Sequence, residues 1–130
     1  MVSQCLEALK WRGVVLFRGL NLEDEAQVAF SRKLGELVSP GGREIFKVSL
    51  DPTVNPAAEY LKGTFHWHMD GATDPVPQKA ATRFRYAHEW QQGDLVVWDN
   101  TGMLHRALPY DVSSQRTLHR TTVHGEEAFA

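Results

Sequence analysis

The chain has 130 residues, 42% hydrophobic and 23% charged, with a formal net charge of −2. That size and mix suit one ordinary globular domain spanning 1–130, and the near-neutral charge gives no broad attraction for nucleic acid. The one cysteine, Cys5, excludes an internal disulfide and fits a reducing cytoplasm, apolar runs such as Val14-Val15-Leu16-Phe17 are too short to cross a bilayer, and the N-terminus has no signal-peptide pattern.

Taken in chain order, Ser3 to Trp11 reads as a short helix. Cys5, Leu6, Ala8 and Leu9 recur at helical spacing, Ser3 can cap the start and Gly13 ends it. Val14 to Phe17 is β-branched and apolar, a buried strand closed by Arg18-Gly19. A second helix opens over Asn21 to Glu25, where acidic residues suit the helix dipole. Its apolar stripe is Ala26, Ala29, Phe30 and Leu34, and Gly35 is its stop. Ser39 to Gly42 is a loop, Glu44 to Leu50 a strand, and Asp51 to Pro56 a loop again. Further strands are expected at Thr64–Asp70, Lys79–Tyr86, Asp94–Asp99, Met103–Leu108 and Thr117–His124. Short strands separated by turn signals point to a barrel or sandwich.

All six histidines lie in the second half of the chain: His66, His68, His88, His105, His119 and His124. In a strand, residues two apart share a face, so His68 and Asp70 of Trp67-His68-Met69-Asp70 project together. An imidazole beside a carboxylate supplies two of the three ligands of a 2-His-1-carboxylate facial triad. By itself His-x-Asp is weak evidence, because it recurs by chance and more often marks a surface or core histidine beside a solvated aspartate. His105, in Trp98-Asp99-Asn100-Thr101-Gly102-Met103-Leu104-His105-Arg106-Ala107, is the candidate third ligand. Arg116 follows eleven residues later and Arg120 four beyond that, on one face of a strand by parity. A guanidinium facing a barrel interior needs a carboxylate, from the protein or from a ligand.

The order His-x-Asp, then Trp-Asp-Asn-(x)4-His-Arg-Ala, then Arg116, resembles the taurine dioxygenase-like (TauD/TfdA) family of Fe(II)- and 2-oxoglutarate-dependent dioxygenases. The opening Val15-Leu16-Phe17-Arg18-Gly19-Leu20 and the helix ending Leu34-Gly35-Glu36-Leu37 are similar to that family's start. The resemblance implies a mainly β fold with flanking helices, a double-stranded β-helix or jelly roll. It implies Fe(II) bound by His68, Asp70 and His105, with 2-oxoglutarate held through its distal carboxylate by Arg116 and O2 as the other cosubstrate. It further implies hydroxylation of a small organic substrate with release of succinate and CO2, with no separate general base. Usual family substrates are small organic acids, sulfonates, sulfate esters or phenoxy acids.

Arg120 matches a position that in the family can contact an anionic substrate group; the alternative is a protein carboxylate at the rim. Thr64 and Trp98 are candidates to line the substrate pocket, although Trp98 also reads as a core aromatic. His66 shares parity with His68 and Asp70, so it is a rival ligand, a substrate contact, or a simple hydrogen-bonding neighbour. His88, His119 and His124 read as structural or exposed, and Cys5 as packing.

One departure from the family pattern stands out. Asp70 and His105 are only 35 positions apart, where the family usually carries a much longer stretch with two barrel strands, a lid and a Gly-Gly-x-Thr turn. The join falls near Thr82 to Arg85, so the jelly roll is expected to be incomplete and its open edges to favour a homo-oligomer. The gap reads as a short form, an internal deletion or part of a longer chain. Beside the working oxygenase stand two other readings: a non-catalytic, truncated metal-binding jelly-roll remnant, and a cupin-like metal enzyme without 2-oxoglutarate. Arg116 disfavours the last, since a cupin needs no carboxylate clamp there.

Overall fold

The computed structural model describes residues 2–39, 42–70 and 86–124. The strand expected at Lys79–Tyr86 and the join near Thr82 to Arg85 therefore fall outside the described residues, Tyr86 apart.

Helix α1 runs Val2–Arg12 and buries Cys5. Lys10 and Arg12 in its last turn complement the negative end of the helix dipole. Gly13 ends it at φ +72, donating its N–H to the Leu9 carbonyl at 2.7 Å. A Cβ at Gly13 would come within 2.5 Å of Met103 Sδ, so this turn needs glycine for both its backbone angle and its closeness to a neighbour. Strand β1, Val14–Phe17, then pairs antiparallel with β3, Leu95–Trp98, in the register Val14↔Trp98 to Phe17↔Leu95. The Asp99 N–H extends the ladder to the Gly13 carbonyl. Both strands are half-buried throughout. The buried strand suggested by the apolar run of β1 is therefore corrected to a half-buried one, which among the described residues pairs with β3 alone.

Helix α2 spans Asp24–Ser31, with Asp24 and Glu25 in the first turn as expected for the dipole. Its buried face differs from the expected stripe. Ala26 and Ala29 are exposed, whereas Gln27 and Ser31 are buried. The reason is polar docking. Gln27 Nε2 donates to the His119 carbonyl at 2.9 Å, and the Ser31 and Thr121 hydroxyls bond at 2.7 Å. Phe30 instead meets Phe17 edge-on, with ring centroids 6.2 Å apart.

Strand β2, Phe46–Val48, pairs antiparallel with β4, Leu118–Arg120, and an isolated bridge Leu37↔Val123 lies beyond them. Both strands are shorter than their alternating patterns suggested. The expected strand Thr64–Asp70 is corrected outright. Helix α3, Ala58–Leu61, runs into a 3-10 helix at Lys62–Phe65, and pairing is confined to His68. Thr64 Oγ1 donates to the Leu61 carbonyl at 2.6 Å and Lys62 pairs with Glu59, local contacts that favour a tight turn over extension. Met103–Leu108 is likewise irregular except at His105.

The described core is small: Cys5, Leu50, Ala58, Leu61 and Met69 are its buried apolar residues. Two small antiparallel sheets flanked by helices are thus the architecture around the site, and no described helix is long and apolar enough to cross a membrane.

Candidate metal centre

Two segments far apart in sequence meet at one backbone bridge. The N–H of His68 donates to the His105 carbonyl and the N–H of His105 to the His68 carbonyl, both at 2.9 Å. Reciprocal bonding of this kind brings side chains on one face close together. The two imidazoles are 4.4 Å apart at their centroids. On the far side of the same bridge, the Arg106 guanidinium lies 5.0 Å from the Trp67 ring and staples the segments again.

Asp70 completes the group. One ligand atom from each of His68, Asp70 and His105 lies within 4.8 Å of the others. Among the described residues this is the one such cluster of potential metal ligands. Asn100, at the end of β3, holds the Asp70 backbone from both sides: its Oδ1 accepts the Asp70 N–H at 3.1 Å and its Nδ2 donates to the Asp70 carbonyl at 2.9 Å. That clamp sets the carboxylate's direction without using any of its oxygens.

The donor set fits a metal ion in its details. His68 Nδ1 donates to the His66 carbonyl at 2.8 Å, which leaves Nε2 with its lone pair for a cation. His105 Nε2 lies 3.5 Å from Asp70 Oδ2, and its buried Nδ1 has no hydrogen-bond partner among the described residues. Burial alone would raise the Asp70 carboxyl. The His105 hydrogen bond and the charges of Arg120, His105 and His68 outweigh it and hold the group below its ordinary value. An ionised carboxylate beside two imidazoles is a nitrogen- and oxygen-rich set suited to a divalent transition metal.

The remaining candidates separate by their contacts. Arg120 Nη1 is 3.0 Å from both Asp70 oxygens, and its guanidinium stacks 5.2 Å from the Phe46 ring across the β2–β4 pair. The carboxylate that Arg120 meets is thus that of Asp70, itself one of the three clustered side chains. Arg116 precedes β4 rather than sharing it, so strand parity does not set its direction. Its guanidinium lies 4.5 Å from the Tyr110 ring, and among the described residues no carboxylate pairs with it. Trp98 packs against His105 at 5.2 Å between centroids, with its buried Nε1 unpartnered among the described residues. The Thr64 hydroxyl is occupied within its own turn, while its carbonyl accepts the Ala107 N–H at 2.9 Å.

The His66 ring is not in the cluster; its carbonyl is what orients His68. The parity argument for His66 fails because the chain there is a turn followed by a single bridge. His88 bonds Asp94 at 3.2 Å, His119 pairs with Asp24, and exposed His124 donates its N–H to the Glu36 carbonyl. Sequence reading missed Asn100, although it stands in the quoted Trp-Asp-Asn run, because an amide thirty residues from its partner carries no spacing signal.

The family profile described as "Taurine catabolism dioxygenase TauD, TfdA family" matches this chain in two segments, residues 2–82 and 78–122. The chain belongs to the TauD/TfdA family. The two segments meet close to the join expected near Thr82 to Arg85. Among curated relatives, the chain is 51% identical over 57 residues to an alpha-ketoglutarate-dependent 2,4-dichlorophenoxyacetate dioxygenase of Burkholderia sp. (strain RASC), covering 44% of this chain and 17% of the relative. It is 40% identical over 43 residues to an (S)-phenoxypropionate/alpha-ketoglutarate-dioxygenase of Sphingobium herbicidovorans, covering 33% of this chain and 15% of the relative. It is 44% identical over 48 residues to a tyrosine isonitrile desaturase of Erwinia amylovora, covering 37% and 16% respectively. The matched stretches thus span under a fifth of these relatives' own length. No solved structure matches the chain.

Proposed function

We propose that this chain carries the metal centre of an Fe(II)- and 2-oxoglutarate-dependent dioxygenase that hydroxylates a small, anionic organic substrate, and that its two sheets belong to a jelly roll. The observation carrying this reading is the convergence of His68, Asp70 and His105 donor atoms within 4.8 Å from two distant segments. His68 Nε2, an Asp70 oxygen and a His105 ring nitrogen would hold the iron. When bound there, iron with 2-oxoglutarate and O2 supplies an oxidation that releases succinate and CO2 and places oxygen on a substrate carbon.

The chain's own residues bind and orient. The His66 carbonyl fixes the His68 tautomer, and Asn100 fixes the Asp70 backbone. Arg116, with its N–H edge free of protein carboxylates among the described residues, is assigned the distal carboxylate of 2-oxoglutarate. Arg120 is assigned the substrate anion. Its contact with Asp70, one of the proposed ligands, supports this assignment, and a divalent ion on Asp70 would replace the charge Arg120 now supplies. Trp98 against His105 excludes water from one side of the centre. Relatives named for phenoxyacetate and phenoxypropionate fit an anionic substrate class.

The test is anaerobic titration of the Fe(II)-loaded protein with 2-oxoglutarate, followed by the visible metal-to-ligand charge-transfer absorption of the chelate. A saturable band supports the reading, and succinate release across small organic acids then tests the substrate class. Iron binding with no band would overturn the cosubstrate assignment while leaving the triad.

A further inference from the structure

We infer that Tyr110 is a positioning residue for the cosubstrate: its ring holds the Arg116 guanidinium flat, so that the N–H edge of the fork is presented to a carboxylate. The inference rests on the assignment of Arg116 made above, and it concerns a residue outside the metal-binding motifs. Arg116 Cζ lies 4.5 Å from the Tyr110 ring centroid, within cation–π range. A guanidinium is planar, with a weakly hydrated face and its donors around the edge. Stacking therefore occupies the face and leaves the donors available. A hydrogen-bonded protein carboxylate would do the opposite: it would fix the arginine by filling the fork that a ligand needs.

Tyr110 is itself braced. Its ring meets Phe65 edge-to-face, with centroids 6.3 Å apart and planes at 77°. Phe65 ends the 3-10 helix Lys62–Phe65, immediately before His66, whose carbonyl orients His68. The Ala107 N–H donates to the Thr64 carbonyl at 2.9 Å and ties the segment leading to Tyr110 onto the same turn. Phe65, Tyr110 and Arg116 thus form one stack linking the lead-in of the first metal ligand to the arginine. Tyr110 and Arg116 are both half-buried, so the stack is shielded enough to matter and open enough for an anion to reach. The stack orders the arginine before the anion arrives, which removes part of the ordering cost of binding.

The test measures 2-oxoglutarate affinity of the Fe(II)-loaded protein by anaerobic calorimetry, with iron stoichiometry and thermal midpoint recorded for each variant. Tyr110→Leu and Tyr110→Met, two non-aromatic replacements, should each weaken binding roughly three- to tenfold with iron stoichiometry unchanged; using both keeps the test usable where one variant does not fold. Tyr110→Phe, which keeps the ring and loses the hydroxyl, should restore affinity to within about twofold. In an Arg116→Ala background, Tyr110→Leu should add no further loss. Wild-type affinity in the non-aromatic variants overturns the inference, as does an equal loss in Tyr110→Phe, which would place the effect on the hydroxyl. Unchanged affinity in Arg116→Ala alone also overturns it, and shows that the underlying assignment of Arg116 is what failed.

Discussion

Two aspartates in this molecule are each met by an arginine and a histidine, yet their surroundings differ. Asp94, just before β3, draws three donors onto one oxygen: Arg18 Nη1 at 2.6 Å, the Gln91 N–H at 3.0 Å and His88 Nε2 at 3.2 Å. Asp70 has Arg120 on both oxygens and His105 at 3.5 Å, with His68 alongside. The Asp94 side chain is 1% exposed and that of Asp70 24%. One of the Asp94 donors is a backbone N–H, which cannot leave without unfolding the turn. Among the described residues, the Asp70 oxygens meet side chains alone, and side chains can exchange places with a cation. Charge and partner types alone do not separate a lock from a binding site. Which partners are free to move does.

The largest effect we predict separates the two by what each loss removes. Asp70→Asn should lower Fe(II) affinity by about a hundredfold or more, since one of three ligands is lost, while leaving the fold in place. Equilibrium dialysis against Fe(II) checks it, and retained stoichiometric binding at wild-type affinity would end the triad assignment.

Asp94→Asn should do the reverse: it should keep the metal and lower the thermal midpoint, because Arg18 and His88 lose their common partner. Its pH dependence has a definite sign. Burial would raise the Asp94 carboxyl, but the Gln91 N–H and the Arg18 charge hold it below its ordinary value of 3.8. A depressed carboxyl contributes stability that is complete above the ordinary value and is lost as pH falls through the lower folded value. The wild type should therefore lose this contribution below about pH 4, and Asp94→Asn should unfold with a flatter acid limb. Acid titrations of both proteins followed by circular dichroism make the comparison, and identical acid limbs would contradict it.

Smaller again is Asn100→Ala. Loss of two hydrogen bonds to the Asp70 backbone should cost about 1–2 kcal/mol of stability and loosen metal binding by about tenfold. Urea unfolding and metal titration of the same preparation read both. The smallest effect belongs to His66→Ala, which keeps the backbone carbonyl that orients His68. Metal affinity should stay within about twofold, and a larger loss would return the ring itself to the ligand set.

These contrasts also mark how much was legible in sequence. Val14–Phe17 and Leu95–Trp98 became strands because their composition favours extended, apolar packing over any local alternative. The cluster of His68, Asp70 and His105 was visible because His68 and Asp70 are near neighbours and His105 sits in a distinctive run. The turn at Lys62–Phe65 was hidden: Thr64 and Phe65 favour strands, but a hydroxyl bond to Leu61 and a long-range bond from Ala107 decide the conformation. The buried face of α2 was hidden because Gln27 and Ser31 are drawn inward by β4 and its neighbour Thr121, elements ninety residues away. Asn100 and Tyr110 act through partners that no spacing rule identifies.

The His68↔His105 bridge has one more consequence. It gathers ligands from either side of a segment of 35 positions, so a metal held there acts as a cross-link closing that length of chain. Cross-links act on the unfolded ensemble, and one closing a loop of this size is worth about 3 to 4 kcal/mol by chain entropy. A metal bound there would then also be a clasp, and resistance to unfolding should rise with metal concentration even where no substrate is turned over.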